Sequence, residues 1–120
     1  MNWSSAVKMT IQQLEGDSIL VGLEGRFDIE GAQSIEDPFT FATTTKARRV
    51  VVDLSSVDFI ASIGIRTLFS AARAQSQRGG RIVLAAPSEM VRKVLVTAGV
   101  DQVIPLFDTV EAALVRGNAT

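Results

Sequence analysis

The chain has 120 residues, 47% hydrophobic and 21% charged, with a formal net charge of −1. A chain of that size buries roughly two-thirds of its unfolded surface, so one domain over residues 1–120 can stand without metal or disulfide staples, and its composition is far from that of disordered chains. Near-neutral charge with no aromatic residues interleaved among basic ones argues against direct nucleic-acid binding, and the absence of cysteine and histidine removes thiol chemistry, the commonest metal ligands and the commonest general base.

No apolar run approaches the ~20 residues of a membrane span. Met1-Asn2-Trp3-Ser4-Ser5 lacks a signal peptide's basic and apolar segments, so a cytoplasmic protein without membrane insertion is expected. Val7, Met9 and Ile11 alternate with polar neighbours, as in a strand with one buried face; Gly16-Asp17-Ser18 then supplies a turn before Ile19-Leu20-Val21-Gly22-Leu23, which predicts an N-terminal β-hairpin. The segment from Asp28 to Ala47 has no single periodicity, although Asp37-Pro38 suits the first positions of a short helix.

Arg49-Val50-Val51-Val52-Asp53-Leu54 and Arg81-Ile82-Val83-Leu84-Ala85-Ala86 are unbroken apolar runs, expected of central strands covered on both faces. Between them Ile65, Leu68, Phe69 and Ala72 recur at helical spacing, and Gly79-Gly80 ends that helix, so the two strands should be parallel. A second helix follows Ser88 as N-cap, carries Val91, Val94 and Leu95, and stops at Gly99. Val103-Ile104 reads as a short last strand, and Asp108 with Glu111 as the capping box of a final helix. The expected fold is α/β: a small mixed sheet with an N-terminal hairpin and about four helices packed mainly on one side.

Chemistry points to the turn Phe59-Ile60-Ala61-Ser62-Ile63-Gly64. Ser62 falls at a helix N-terminus, where backbone N–H groups lack intrahelical partners and the helix dipole favours negative charge. As an N-cap it would only fasten the helix; bearing a phosphate, it would meet a favourable field, with Arg66 one helical turn on. Ala61-Ser62-Ile63-Gly64 also matches half of a hydrolase nucleophile elbow, but no histidine and no correctly spaced lysine can activate the serine, so no enzyme and no cofactor or metal is expected.

The run Asp53-Leu54-Ser55-Ser56-Val57-Asp58-Phe59-Ile60-Ala61-Ser62-Ile63-Gly64-Ile65-Arg66 resembles the signature of the STAS domain of anti-sigma factor antagonists, Asp-Leu-Ser-x-Val-x-Phe-Ile-Asp-Ser-Ser/Thr-Gly-Leu. The resemblance continues through Gly79-Gly80-Arg81-Ile82-Val83-Leu84, Val91-Arg92-Lys93-Val94-Leu95 and Phe107 to Leu114. It implies that Ser62 is phosphorylated by a partner serine kinase that is itself the anti-sigma factor, that the unphosphorylated form captures this kinase and frees the sigma factor, and that a phosphatase can serve as a further partner. It implies a partner-facing surface at Asp28, Phe59, Ala61, Ser62, Ile63, Gly64, Ile65 and Arg66.

This sequence departs from the family pattern at Ala61, where Asp is usual, and at Ile63, where Ser or Thr is usual; both changes remove polar groups and bear on the reaction at Ser62. The resemblance also admits a constitutive STAS adaptor, as in bacterial lipid-transport complexes, in which Ser62 only caps. Asp53 lacks the acidic partners of a response-regulator receiver and is expected, with Ser55, to support the turn below Ser62. Lys46, Arg48 and Arg49 read as a solvated strand edge, and Trp3 as a packing residue.

Overall fold

The structure, a computed structural model, describes residues 8–27 and 49–117. Asp28 and the short helix expected at Asp37-Pro38 lie outside the described residues. The hairpin forms as β1 (Lys8–Leu14) and β2 (Ser18–Phe27), antiparallel from Leu14↔Ser18 to Lys8↔Glu24. The expected buried face of β1 is only half realised: Met9 packs on the core, whereas Ile11 is 46% exposed. β1 is an edge strand, so Ile11 gains only one neighbouring strand for cover.

β3 (Arg49–Ile60) is the central strand of a mixed five-stranded sheet ordered β1-β2-β3-β4-β5, with β4 at Arg81–Ala85 and β5 at Leu106–Phe107. β3 pairs parallel with both β2 and β4. The alternation of Val50, Val51 and Val52 is read out on both faces. Val50, Val52 and Leu54 join Ile19, Val21, Ile82 and Leu84 in the larger core, while Val51 joins Val83, Ala85 and Ala113 in a smaller one on the other face.

Helix α1 (Ser62–Gln77) and helix α2 (Glu89–Thr97) cover the larger core with Leu68, Ala71, Val91 and Leu95. Helix α3 (Val110–Gly117) covers the smaller one through Ala113. Among the described residues there are thus three α-helices and one 3-10 turn, Val100–Gln102, with two of the α-helices on the same face. The end of α1 follows from Gly79: with φ +88 it lets Gly79 N–H reach the Ser76 carbonyl and Gly80 N–H reach that of Gln75, the paired bonds of a Schellman motif.

Three local expectations are corrected. The last strand is Leu106–Phe107, not Val103-Ile104: the 3-10 turn occupies the chain up to Gln102, Ile104 is a buried core residue, and the ladder to β4 starts where Leu84 N–H donates to the Pro105 carbonyl. The cap of α3 is Thr109, whose hydroxyl accepts from Ala112 N–H at 3.0 Å. Asp108, one residue earlier, instead forms an ion pair with Arg92 of α2. Finally, β3 does not stop near Leu54. It runs on to Ile60, paired among the described residues with β2 alone once β4 has ended opposite Asp53.

Candidate functional site

The extended half of β3 delivers the chain directly into α1, with Ala61 as the whole connection. Two contacts seat this junction against the end of β2. Ala61 N–H donates to the Phe27 carbonyl at 3.0 Å. Gly64 lies so close to Phe27 that a Cβ placed on it would stand 2.8 Å from the Phe27 carbonyl oxygen and 2.9 Å from Cγ of its ring. Real Cβ atoms do not approach that closely, so glycine is required by space here. Gly64 is buried, and it holds the helix start against the sheet.

Ser62 is the first residue inside the helix, not its N-cap. The N-cap is Ala61, extended at φ −106 and ψ 174, and its methyl group cannot accept a hydrogen bond. The first helical bond runs from Ile65 N–H to the Ala61 carbonyl at 3.1 Å. The N–H groups of Ser62, Ile63 and Gly64 therefore have no protein acceptor among the described residues, and the exposed Ser62 hydroxyl has no hydrogen-bond partner there either.

Around Ser62 the surface is mixed rather than apolar. Ile63 and Ile65 are half-buried and pack against the larger core; Phe59 is half-buried; Arg66 and Asp58 are exposed. Arg26, opposite Phe59 in the β2–β3 ladder, lays its guanidinium over the Phe59 ring at 4.6 Å from the centroid. Sequence reasoning missed Arg26. Its pairing depends on two register shifts, between Gly22 and Glu24 and between Gly25 and Arg26, for which the sequence carries no signal beyond the glycines themselves.

Asp53 does not sit beneath Ser62. It lies mid-strand, and its Oδ1 accepts from Ser55 N–H at 3.0 Å, a local bond at the point where β3 loses its β4 neighbour. Asp53 and Ser55 thus support each other and the strand, while Phe27 supports the turn. Among the described residues no three acidic side chains converge as a metal cage would require, and no helix is long and apolar enough to cross a membrane.

Comparison with known proteins agrees with this architecture over nearly its full length. RsfA, an anti-sigma-F factor antagonist of Mycobacterium tuberculosis, is 27% identical over 113 residues, covering 92% of this chain and 88% of the relative. An anti-sigma factor antagonist from Mycobacterium paratuberculosis has the same fold, with a TM-score of 0.85 at 21% identity over 97% of both chains. The anti-sigma factor antagonist SpoIIAA superposes in its unphosphorylated form with a TM-score of 0.78, over 94% of this chain and 98% of that one at 21% identity. The phosphorylated form of SpoIIAA, from Bacillus, gives 0.65 over 91% and 98% at the same identity. Residues 8–113, which run from the first strand through the last buried residue of α3, match the STAS domain, and the chain belongs to that family.

Proposed function

We propose that this protein is an anti-sigma factor antagonist whose unmodified Ser62 turn captures an anti-sigma factor serine kinase, and that phosphorylation of Ser62 by that kinase ends the capture. The observation that carries the reading is the open start of α1: an exposed serine at the first helical position, followed by N–H groups without acceptors among the described residues, behind an N-cap that cannot fill them.

A phosphate on Ser62 adds about −1.5 to −2 charge units at the positive end of the helix dipole, and its oxygens can accept from the free N–H groups. The modified form is thereby held without unfolding. The same charge on a surface of exposed Ser62 and half-buried Phe59, Ile63 and Ile65 opposes a partner fitted to the neutral serine. In the transfer the Ser62 oxygen bonds to the γ-phosphorus of ATP as ADP leaves, and the hydroxyl proton goes to a base on the kinase, since this chain has no histidine to take it.

Ala61 fits this scheme. An aspartate at the N-cap would occupy one of these N–H groups and set a second negative charge beside the phosphate. Alanine leaves the amides open, so its presence favours the phosphorylated state of this turn. Arg66 and Arg26 place positive charge on the same surface.

The test is capture of the cognate anti-sigma factor by wild type, Ser62→Ala and Ser62→Asp. Capture by the first two and loss of at least tenfold in affinity by the third is expected. Equal capture by all three would instead make the protein a constitutive STAS adaptor, in which the serine plays no switching part.

A further inference from the structure

At the opposite end of β3 from Ser62, a strand roughly 35 Å long at ~3.3 Å per residue, a cavity of about 440 Å³ opens beside the hairpin turn. That volume lies in the range of small-molecule sites, roughly 300–1,000 Å³. Its construction follows from register. Ser18, Arg49 and Arg81 begin β2, β3 and β4 and stand directly opposite one another, so their side chains share one face of the sheet. Two residues along, on the same face, come Val51 and Val83, both buried, and α3 walls the space with Ala113 and Leu114. The result is an apolar floor with two arginines abreast at its edge.

These arginines are half-buried, and among the described residues neither has a carboxylate partner. Arg49 Nε donates to the buried Ser18 hydroxyl at 3.3 Å, which fixes one guanidinium in place. Their backbones are one strand spacing apart, ~4.8 Å, and like charges directly opposite on adjacent strands repel each other. Partial burial strengthens that repulsion. An anion between them would relieve it, and the planar fork of arginine suits an oxyanion. Glu15 at the rim disfavours a second negative charge on the ligand.

We infer that this cavity binds a small amphipathic monoanion, a carboxylate whose head bridges Arg49 and Arg81 and whose apolar body lies on Val51, Val83 and Leu114. The cavity lies at the other end of β3 from Ser62, so this inference does not rest on the proposed switching at that residue.

The experiment is titration of methyl-labelled protein with sodium decanoate below its micelle concentration, followed by NMR. Saturable one-site shifts are expected, concentrated at Leu14, Val51, Val83 and Leu114. Decanol should bind at least tenfold more weakly and acetate should not saturate. Arg49→Gln and Arg81→Gln should each weaken decanoate about tenfold, the loss of one charge-assisted hydrogen bond, and Glu15→Gln should tighten it. No saturation by decanoate, equal affinity for decanol, or shifts centred elsewhere would overturn the inference; the decanoate and decanol arms need no variant, so a misfolded arginine mutant does not rescue it.

Discussion

Helices α1 and α2 begin in opposite ways, although both follow parallel strands and pack on the same core. Ser88 caps α2, its hydroxyl accepting from Val91 N–H at 3.2 Å, and Thr109 does the same for α3. At α1 the capping position holds alanine, and the serine stands one residue too late to cap. A helix start left unfastened costs stability, since a Ser, Thr or Asp cap contributes about 1 kcal/mol. Here the seat is made by other means: the bond from Ala61 to Phe27 and the close approach of Gly64. The difference separates two jobs. Capping side chains hold α2 and α3, whereas α1 is held from behind, and among the described residues its first N–H groups and its serine are left without partners.

The largest effect on this contrast should come from Gly64→Val. The added atoms meet the Phe27 backbone and the Ile60 side chain, so α1 must shift. A loss of about 2 kcal/mol or more is expected, read by urea unfolding, together with loss of partner capture even though Ser62 is intact. Next comes the pair Ser88→Ala and Ser62→Ala, the same substitution at two helix starts. The first should cost about 1 kcal/mol by removing a cap. The second should change stability by less than ~0.5 kcal/mol, because the Ser62 hydroxyl makes no bond among the described residues. Equal losses in thermal melts would show that Ser62 is a structural residue after all.

The smallest effect is expected at the N-cap of α1 itself. Ala61→Asp should make α1 resemble α2, raising the stability of the unmodified protein by about 0.5–1 kcal/mol. In the phosphorylated protein the gain should vanish or reverse, because the carboxylate competes for the same N–H groups and faces a neighbouring phosphate. Melting both forms of both proteins gives this difference directly.

Much of this architecture was legible in the sequence, because the hairpin, the parallel β3–β4 pair, the Ser88 cap and the Gly79-Gly80 stop each rest on a local signal. The misreadings share a physical origin in what lies next door. Ser55, Ser56 and Asp58 look like a loop, yet they belong to β3; they are exposed because β4 has already ended, while Val57 and Ile60 between them are buried. The offset of one residue at Asp108 and Thr109 arises where adjacent side chains could each cap and tertiary packing chooses, whereas at Ser62 the helix starts one residue earlier than its capping-type side chain, behind an alanine that cannot cap. The Arg26–Phe59 stack and the Arg49–Arg81 pair exist only in the sheet register, which no single segment encodes. At the candidate site, Ser62 and its position near a helix start were readable, but the openness of that start was not, because it depends on Phe27 and Gly64 taking over the work of a cap.

Switching of the protein at this open helix start is what the proposed function requires. Its most direct test is intact-mass and fragment analysis after incubation with the cognate anti-sigma factor kinase and ATP. One phosphate on wild type, placed at Ser62, and none on Ser62→Ala is the expected result; an unmodified wild-type chain, or a phosphate at any other residue, would contradict it.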